Sequence, residues 1–221
     1  MDKRLNSARL LFVLLAASAV AGASPARAAS LGVQLGVDGC GVDGDVPPNS
    51  EYTNKAGLIA GIQGEVGFAH GLLLSLQPSY VQKKAGILVA PTTRGGSQTE
   101  LELSFDYFSV PAVVKFPMAS GRTYVAGGVS ADFLSAAKLS GQGSDRDVKS
   151  TFNSTDFGAI LGFGVVFPRG SSSFTTELRV AQGLSNLTTG NAAAAAGALA
   201  ARLHSYGLQL IAGYLFPIGR P

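Results

Sequence analysis

Bulky apolar side chains recur at every second position along most of this chain, and that period limits the folds open to it more than any motif does. Phe157, Ala159, Leu161, Phe163, Val165 and Phe167 interleave with Asp156, Gly158, Ile160, Gly162, Gly164 and Val166. Tyr206, Leu208, Leu210, Ala212, Tyr214 and Phe216 do the same against Gly207, Gln209, Ile211, Gly213 and Leu215. Successive side chains of a strand point to opposite faces, so each segment has one greasy face and one small or polar face. A soluble barrel of lipocalin type or a β-sandwich would turn the greasy face inward. The remaining face would then meet water, yet it is glycine with Gln34, Gln63, Glu65, Ser75, Gln77, Ser79, Lys115, Ser130, Asp132, Glu177, Arg179 and Gln209. It holds few of the lysines and glutamates that keep water-facing sheets apart. The pattern therefore favours greasy side chains facing lipid and polar ones facing a lumen.

The same rule marks eight strands, near 30–38, 57–68, 72–84, 100–116, 122–138, 155–167, 173–186 and 204–217. Long polar loops near 39–56, 85–99, 139–154 and 187–203 alternate with short turns at 69–71, 117–121 and 168–172. The fold class this predicts is all-β, an eight-stranded antiparallel up-and-down transmembrane β-barrel with short periplasmic turns and longer outer loops. Aromatic residues should then gather at the two membrane interfaces. On the outward parity the short-turn ends carry Phe68, Phe116, Phe167, Phe174, Tyr214 and Phe216, and the opposite ends Tyr80, Phe108, Phe133, Phe157 and Tyr206. Phe108 and Phe116, or Phe157 and Phe167, lie eight to ten residues apart. At about 3.3 Å per residue and a tilt near 40°, that spans roughly 20 to 25 Å, the height of the apolar band of such barrels.

One strand breaks the pattern. Leu101, Leu103 and Phe105 take one parity, while Phe108, Val110, Ala112, Val114 and Phe116 take the other. A bulge near Asp106 and Tyr107 would reconcile them, and so would a strand that leaves the bilayer there.

The N-terminus reads as a cleaved leader. Lys3, Arg4 and Arg9 precede an apolar stretch from Leu10 to Ala21, and Ala26-Arg27-Ala28 supplies the small residues of a cleavage site. Residues 1–28 are thus expected to be a signal peptide and 29–221 the barrel domain. Of 17 lysines and arginines four fall in the leader, and of 14 acidic residues one does, leaving 13 of each. The excess positive charge belongs to the leader, and nothing in the mature part asks for a nucleic-acid partner. After the leader no run reaches the 18 or so apolar residues of a membrane helix. Cys40 is the only cysteine, so an internal disulfide is excluded, and it lies too far from the expected cut to carry a lipid anchor.

Several segments resemble the PorT-like small outer-membrane barrels, a family akin in shape to OmpA and OmpX. They are Leu76-Gln77-Pro78-Ser79-Tyr80, Tyr107 through Phe116 (YFSVPAVVKF), Tyr124-Val125-Ala126-Gly127-Gly128, Asp156-Phe157-Gly158 and Gly213-Tyr214-Leu215-Phe216. The family usually has a glutamate before its Ile-Pro or Val-Pro pair, where this chain has Ser109, and five residues follow Phe216 here. The resemblance implies an integral outer-membrane protein of a Gram-negative bacterium, embedded in outer-membrane lipid and inserted by the barrel-assembly machinery. It carries no shared enzymatic activity and no cofactor.

Eight strands enclose room for their own side chains or one small ligand, whereas water-filled porins use about twice as many. The inward set Gln63, Glu65, Lys115, Asp132, Glu177, Arg179 and Gln209 is therefore expected to form a paired lumen network rather than an ion path, with Lys115 and Asp132 as cross-strand partners for Glu177 and Arg179. Gly39 to Gly44 spells a dinucleotide-loop pattern, but Pro47 and Pro48 forbid the helix it needs. Asp38, Asp43 and Asp45 lack the spacing of a calcium loop and read as a solvated turn. His204 and Ser205 are neighbours in a strand and so point apart, which argues against a catalytic dyad. Gly128-Val129-Ser130-Ala131-Asp132 lacks the closing glycine of a nucleophile elbow. The alanine run from Ala192 to Ala201 has helix propensity. No catalytic, metal or cofactor site is expected. The leading expectation is a non-enzymatic envelope barrel whose outer loops are offered to a partner. An outer-leaflet lipid-modifying enzyme using His204 and a narrow channel stand as alternatives.

Overall fold

The computed structural model describes residues 29–44, 49–68, 71–91, 99–118, 121–141, 144–189 and 202–218. The leader expected at 1–28 and the alanine run at 192–201 lie outside the described residues. Among the described residues ten strands follow one another: β1 (Ala29–Gly44), β2 (Ser50–Gly67), β3 (Leu73–Leu76), β4 (Ser79–Val89), β5 (Thr99–Pro117), β6 (Thr123–Gly141), β7 (Ser144–Asp147), β8 (Thr155–Arg169), β9 (Ser172–Gly183) and β10 (Leu203–Ile218). All pairings are antiparallel, and β1 pairs with both β2 and β10, so the sheet closes on itself. Closure satisfies each strand's backbone groups on both edges, which is the condition for crossing lipid without a helix. No helix among the described residues is long and apolar enough to cross a membrane.

Eight strand paths form the ring, as the alternation predicts. β3 and β4 are one path, interrupted at Gln77 and Pro78. Proline has no N–H to donate, and the break is bridged by Ile62 N–H to Pro78 O at 3.0 Å and Gln77 N–H to Pro111 O at 3.0 Å. β7 pairs only with the outer end of β6 and belongs to the outer loop region. The short turns between β5 and β6 and between β8 and β9 contain Gly121 and Gly170, at φ 65° and 61°, a left-handed backbone that glycine adopts without steric cost.

Strand ends differ from those read from the sequence by more than a turn's width. The strand placed at 30–38 runs on to Gly44, and the strand placed at 57–68 starts at Ser50, so the loop assigned to 39–56 contracts to 45–49. The strand placed at 173–186 stops at Gly183. These extensions carry little greasy bulk on their outward face, which is why the alternation fades there although the ladder continues.

The parity break on β5 resolves in an instructive way. β5 keeps a single parity over its length: Leu103, Phe105, Tyr107, Ser109, Pro111, Val113 and Lys115 are all buried in the interior. The irregularity lies on its partner, where Asp106 faces Ala136 and Tyr107 faces Leu134, so Ser135 of β6 is the extra residue of a bulge. Beyond that level the strand has left the apolar band. Its outward positions become Asp106, Ser104, Glu102 and Glu100, and its greasy side chains turn in. Of the two readings offered by the sequence, the strand that leaves the bilayer accounts for the break, and the expected bulge at Asp106 and Tyr107 is corrected: it lies on β6, opposite them.

Above the outer aromatic row the interior is accordingly apolar. Val81, Leu103, Phe105, Tyr107, Leu134, Phe152, Leu187 and Leu203 form a plug, with the rings of Phe105 and Phe152 meeting edge to face at 4.8 Å. Cys40 helps seal this end. The ladder between β2 and β4 is irregular between Asn54 and Ile59, and there the buried Cys40 Sγ accepts the Lys84 N–H at 2.8 Å.

Candidate functional site

The lumen collects the buried charge of the described residues because the inward parity of all eight strand paths points polar side chains into it. Two networks result. The first lies toward the periplasmic ends. Lys115, 2% exposed, bonds Glu65 and stands 3.9 Å from Glu177 Oε2. Arg179 donates to Glu177 Oε1 through Nε at 2.8 Å and to Gln77 Oε1 through Nη2 at 2.8 Å. Tyr124 gives its hydroxyl proton to Glu177 Oε2 at 2.7 Å, and the Lys115 ammonium lies 4.6 Å from the Tyr124 ring centre. Gly164 makes room for that tyrosine, since a Cβ there would fall 2.2 Å from its ring. Two cations and two anions close among themselves, which offsets the desolvation of each.

The second network lies at the level of the outer aromatic row, since Ser109, Asp132, Asp156 and Ser205 are sequence neighbours of Phe108, Phe133, Phe157 and Tyr206. Lys83 reaches Asp132 Oδ2 at 2.9 Å, Asp156 Oδ2 at 3.7 Å and Ser205 Oγ at 3.2 Å. Ser109 donates to Asp132 Oδ1 at 2.5 Å and Ser205 to Asp156 Oδ2 at 3.0 Å. Gln209 donates to Asp38 Oδ2 at 3.1 Å, and the Lys83 ammonium lies 4.9 Å from the Tyr107 ring centre.

Of the residues read as lumen polar, Glu65, Lys115, Glu177 and Arg179 come together. Gln63 is buried beside them, with its side-chain nitrogen 2.5 Å from where a Gly213 Cβ would sit. Asp132 and Gln209 do not join that set, contrary to the pairing of Asp132 with Arg179 or Glu177, because Lys83 and Asp38 claim them first. Lys83, Tyr124, Asp156, Asp38, Gln77, Ser109 and Ser205 are members that the sequence reading did not assign to the network. Lys83 continues the inward parity of Ser75, Gln77 and Ser79, so that parity carried the signal.

The aromatics stand on the outward face. Phe68, Tyr80, Phe108, Phe116, Phe157, Phe167, Phe174 and Phe216 are exposed, and Phe133, Tyr206 and Tyr214 are half-buried. Phe167 packs against Phe174 across the β8–β9 turn with ring centres 6.1 Å apart, and Tyr214 against Phe216 at 4.8 Å. Tyr80 and Tyr206 turn their hydroxyls to polar partners, Asp106 Oδ1 and Asn54 Oδ1, both at 2.6 Å. An apolar ring with a polar tip suits the lipid-water boundary.

The remaining motifs separate. Asp38 points into the lumen and Asp43 outward, while Asp45 lies outside the described residues. The glycine pattern from Gly39 to Gly44 is extended strand. His204 is on the outward parity of β10 and Ser205 on the inward parity. Among the described residues no group of three or more His, Cys, Asp or Glu side chains converges as a metal site would require.

The model of the outer membrane protein beta-barrel domain family matches residues 17–189 of the chain. No curated protein matches it in sequence. In shape it is similar to Neisserial surface protein A, with a TM-score of 0.48, 15% identity, and coverage of 83% of this chain and 95% of that one. It is also similar to Ail, the attachment invasion locus protein of Yersinia pestis, with a TM-score of 0.40, 16% identity and coverage of 85% and 98%. The outer membrane protein OprG from Pseudomonas aeruginosa gives 0.41, 9% identity and coverage of 88% and 97%.

Proposed function

The chain belongs to the family of outer membrane protein beta-barrel domains and so resides in the outer membrane of a Gram-negative bacterium, and from that premise we propose that it is a closed, non-enzymatic barrel serving the cell envelope. Within the family we read it as a PorT-like member, on the segments around Gln77-Pro78, Val110-Pro111 and Tyr214. Its partners on this reading are outer-membrane lipid, the assembly machinery during insertion, and an envelope or extracellular molecule met by the outer loops.

The observation that carries the proposal is the filling of the lumen. The Lys115–Glu177–Arg179 network occupies the lower part, the Lys83 network lies above it, and the apolar plug around Phe105 stands over both. Water or a solute moving through would have to part buried ion pairs and then an apolar layer, both unfavourable in a narrow lumen. The divergence of His204 from Ser205, and the occupation of Lys83 by two aspartates, support the absence of a nucleophile-base pair.

Reconstitution into planar bilayers tests this reading. The intact barrel is expected to give no stepwise current at moderate voltage. Sustained, uniform conductance steps would replace the closed reading with the narrow-channel one.

A further inference from the structure

Between β9 and β10, residues 184–189 lie at the outer mouth and belong to none of the ten strands. An isolated bridge joins Thr188 to Phe152 of the β7–β8 connection. Asn153, on that connection, pins the segment from one side. Its backbone N–H donates to Leu187 O at 2.7 Å, and its Nδ2 donates to Asn186 O at 2.8 Å and Thr188 O at 3.2 Å. Thr189 donates from its backbone N and from Oγ1 to Thr151 O, at 3.1 and 3.0 Å. Asn186 ties the other side, its Oδ1 accepting from Leu203 N–H at 2.9 Å and from Thr188 N–H and Oγ1 at 3.2 and 3.0 Å.

These bonds hold Leu187, 2% exposed, in the apolar plug. Leu187 N–H donates to Leu203 O at 2.8 Å, and the next inward residue of β10 is Ser205, whose Oγ lies 3.2 Å from Lys83 Nζ. Leu187 therefore stands one inward position above the Lys83 network on the β10 side. The segment and the wall differ in what it takes to break their hydrogen bonds. Those of the segment lie beyond the outer aromatic row, where water replaces a lost partner, so the net worth of each is small. Ladder bonds of the band would break in lipid, which offers no replacement. Of the segment's two apolar side chains Leu187 is buried and Leu184 is 61% exposed. A segment with so little buried apolar contact and with water-side hydrogen bonds belongs to the low-stability end of a fold, where local opening precedes global unfolding.

We propose that residues 184–189 are a strap, latched by Asn153 and Asn186, that opens as a unit and admits water to Ser205 and Lys83 while the barrel stays folded. The opened state is an outer vestibule and not a pore, because the Lys115–Glu177–Arg179 network below it is untouched. A conducting barrel would overturn the closed reading and leave the strap standing.

Single thiols in a Cys40→Ala background report opening of the intact barrel in detergent through their rate of reaction with a small maleimide. Leu187→Cys reads the strap and Ser205→Cys the vestibule beneath it. Val113→Cys, at a position 0% exposed in the lower lumen, reads unfolding of the whole barrel. Leu187→Cys and Ser205→Cys are expected to react at least about a hundredfold faster than Val113→Cys. Adding Asn153→Ala removes the two side-chain latch bonds and should speed both about tenfold, leaving Val113→Cys unchanged. Amide hydrogen exchange of the wild type supplies a second readout without substitution: the N–H groups of Asn153, Leu187 and Thr189 are expected to share one protection factor, about a hundredfold below that of the β8–β9 ladder.

Leu187→Cys reacting no faster than Val113→Cys, or Asn153→Ala speeding all three sites equally, would overturn the proposal, since the strap would then yield only with the barrel. Reaction at Leu187→Cys with Ser205→Cys as protected as Val113→Cys would overturn it by leaving no vestibule. Should the thiol variants fail to fold, exchange of the wild type decides, and equal protection of strap and ladder is the contrary result.

Discussion

β5 passes through two environments without changing its parity, and its side chains change chemistry at the crossing. Below the outer aromatic row it turns Val110, Ala112, Val114 and Phe116 outward and Ser109 and Lys115 inward. Above the row it turns Glu100, Glu102, Ser104 and Asp106 outward and Leu103, Phe105 and Tyr107 inward. The backbone is the same ladder throughout; only the surrounding solvent differs. In the lower band lipid covers the outside, so the greasy side chains go there and the lumen holds polar pairs. In the upper rim water covers the outside, and the barrel packs like a soluble protein. The greasy face of a strand thus reports what lies beyond the sheet, and a change of face along one strand marks the membrane boundary.

The strongest way to break this comparison is to put the chemistry of the lower lumen into the rim. Ala137→Lys would place an ammonium inside the plug, since Ala137 is buried and lies opposite Phe105 on β5. Burying an unpaired ammonium among Phe105 and its neighbours is expected to cost about 5 kcal/mol or more. Loss of the heat-dependent gel shift after refolding would register it.

Truncations on the two sides come next. Phe105→Ala in the rim leaves a cavity inside a packed plug and should cost about 4 kcal/mol. Phe163→Ala in the band loses only the transfer of its ring from water to lipid, about 2 kcal/mol, because acyl chains refill the space. Urea unfolding of both variants in lipid vesicles measures the difference, and equal losses would erase the distinction between the regions.

Added charge sharpens the boundary further. Leu161, 65% exposed midway between Phe157 and Phe167, faces the centre of the band, and Leu161→Arg should cost about 3 kcal/mol. Ser104→Arg, on the outward face of the rim, should stay within about 0.5 kcal/mol of wild type. A smaller loss than that of Leu161→Arg belongs to the seam near the rim. Cys40→Ala removes the acceptor of the Lys84 N–H and should cost about 1 kcal/mol, while Cys40→Ser keeps an oxygen acceptor and should cost less.

The contrast also explains what could be read from the residues alone. In β8 from Phe157 to Phe167 and in β10 from Tyr206 to Phe216 every outward position lies in the band, so Leu161, Phe163, Leu208 and Leu210 announce both the strand and its lipid face. In β1 beyond Asp38 the outward residues are Gly39, Gly41 and Asp43. No greasy stripe marks the strand there, although its ladder continues to Gly44. The lower network was legible from Glu65, Lys115, Glu177 and Arg179 because charge on an inward parity has nowhere else to go. The upper one was legible only in Asp132 and Gln209, since Lys83 sits where its strand had been expected to end, and which aspartate it meets depends on the curvature of the closed ring.

Depth of single tryptophans tests the central claim most directly, and the chain has no tryptophan of its own to interfere. Leu161→Trp and Ser104→Trp would each be reconstituted in vesicles containing lipids brominated along the acyl chain. The account predicts strong quenching of Leu161→Trp and little of Ser104→Trp, although both lie on outward faces. Equal quenching of the two, or none at position 161, would contradict it.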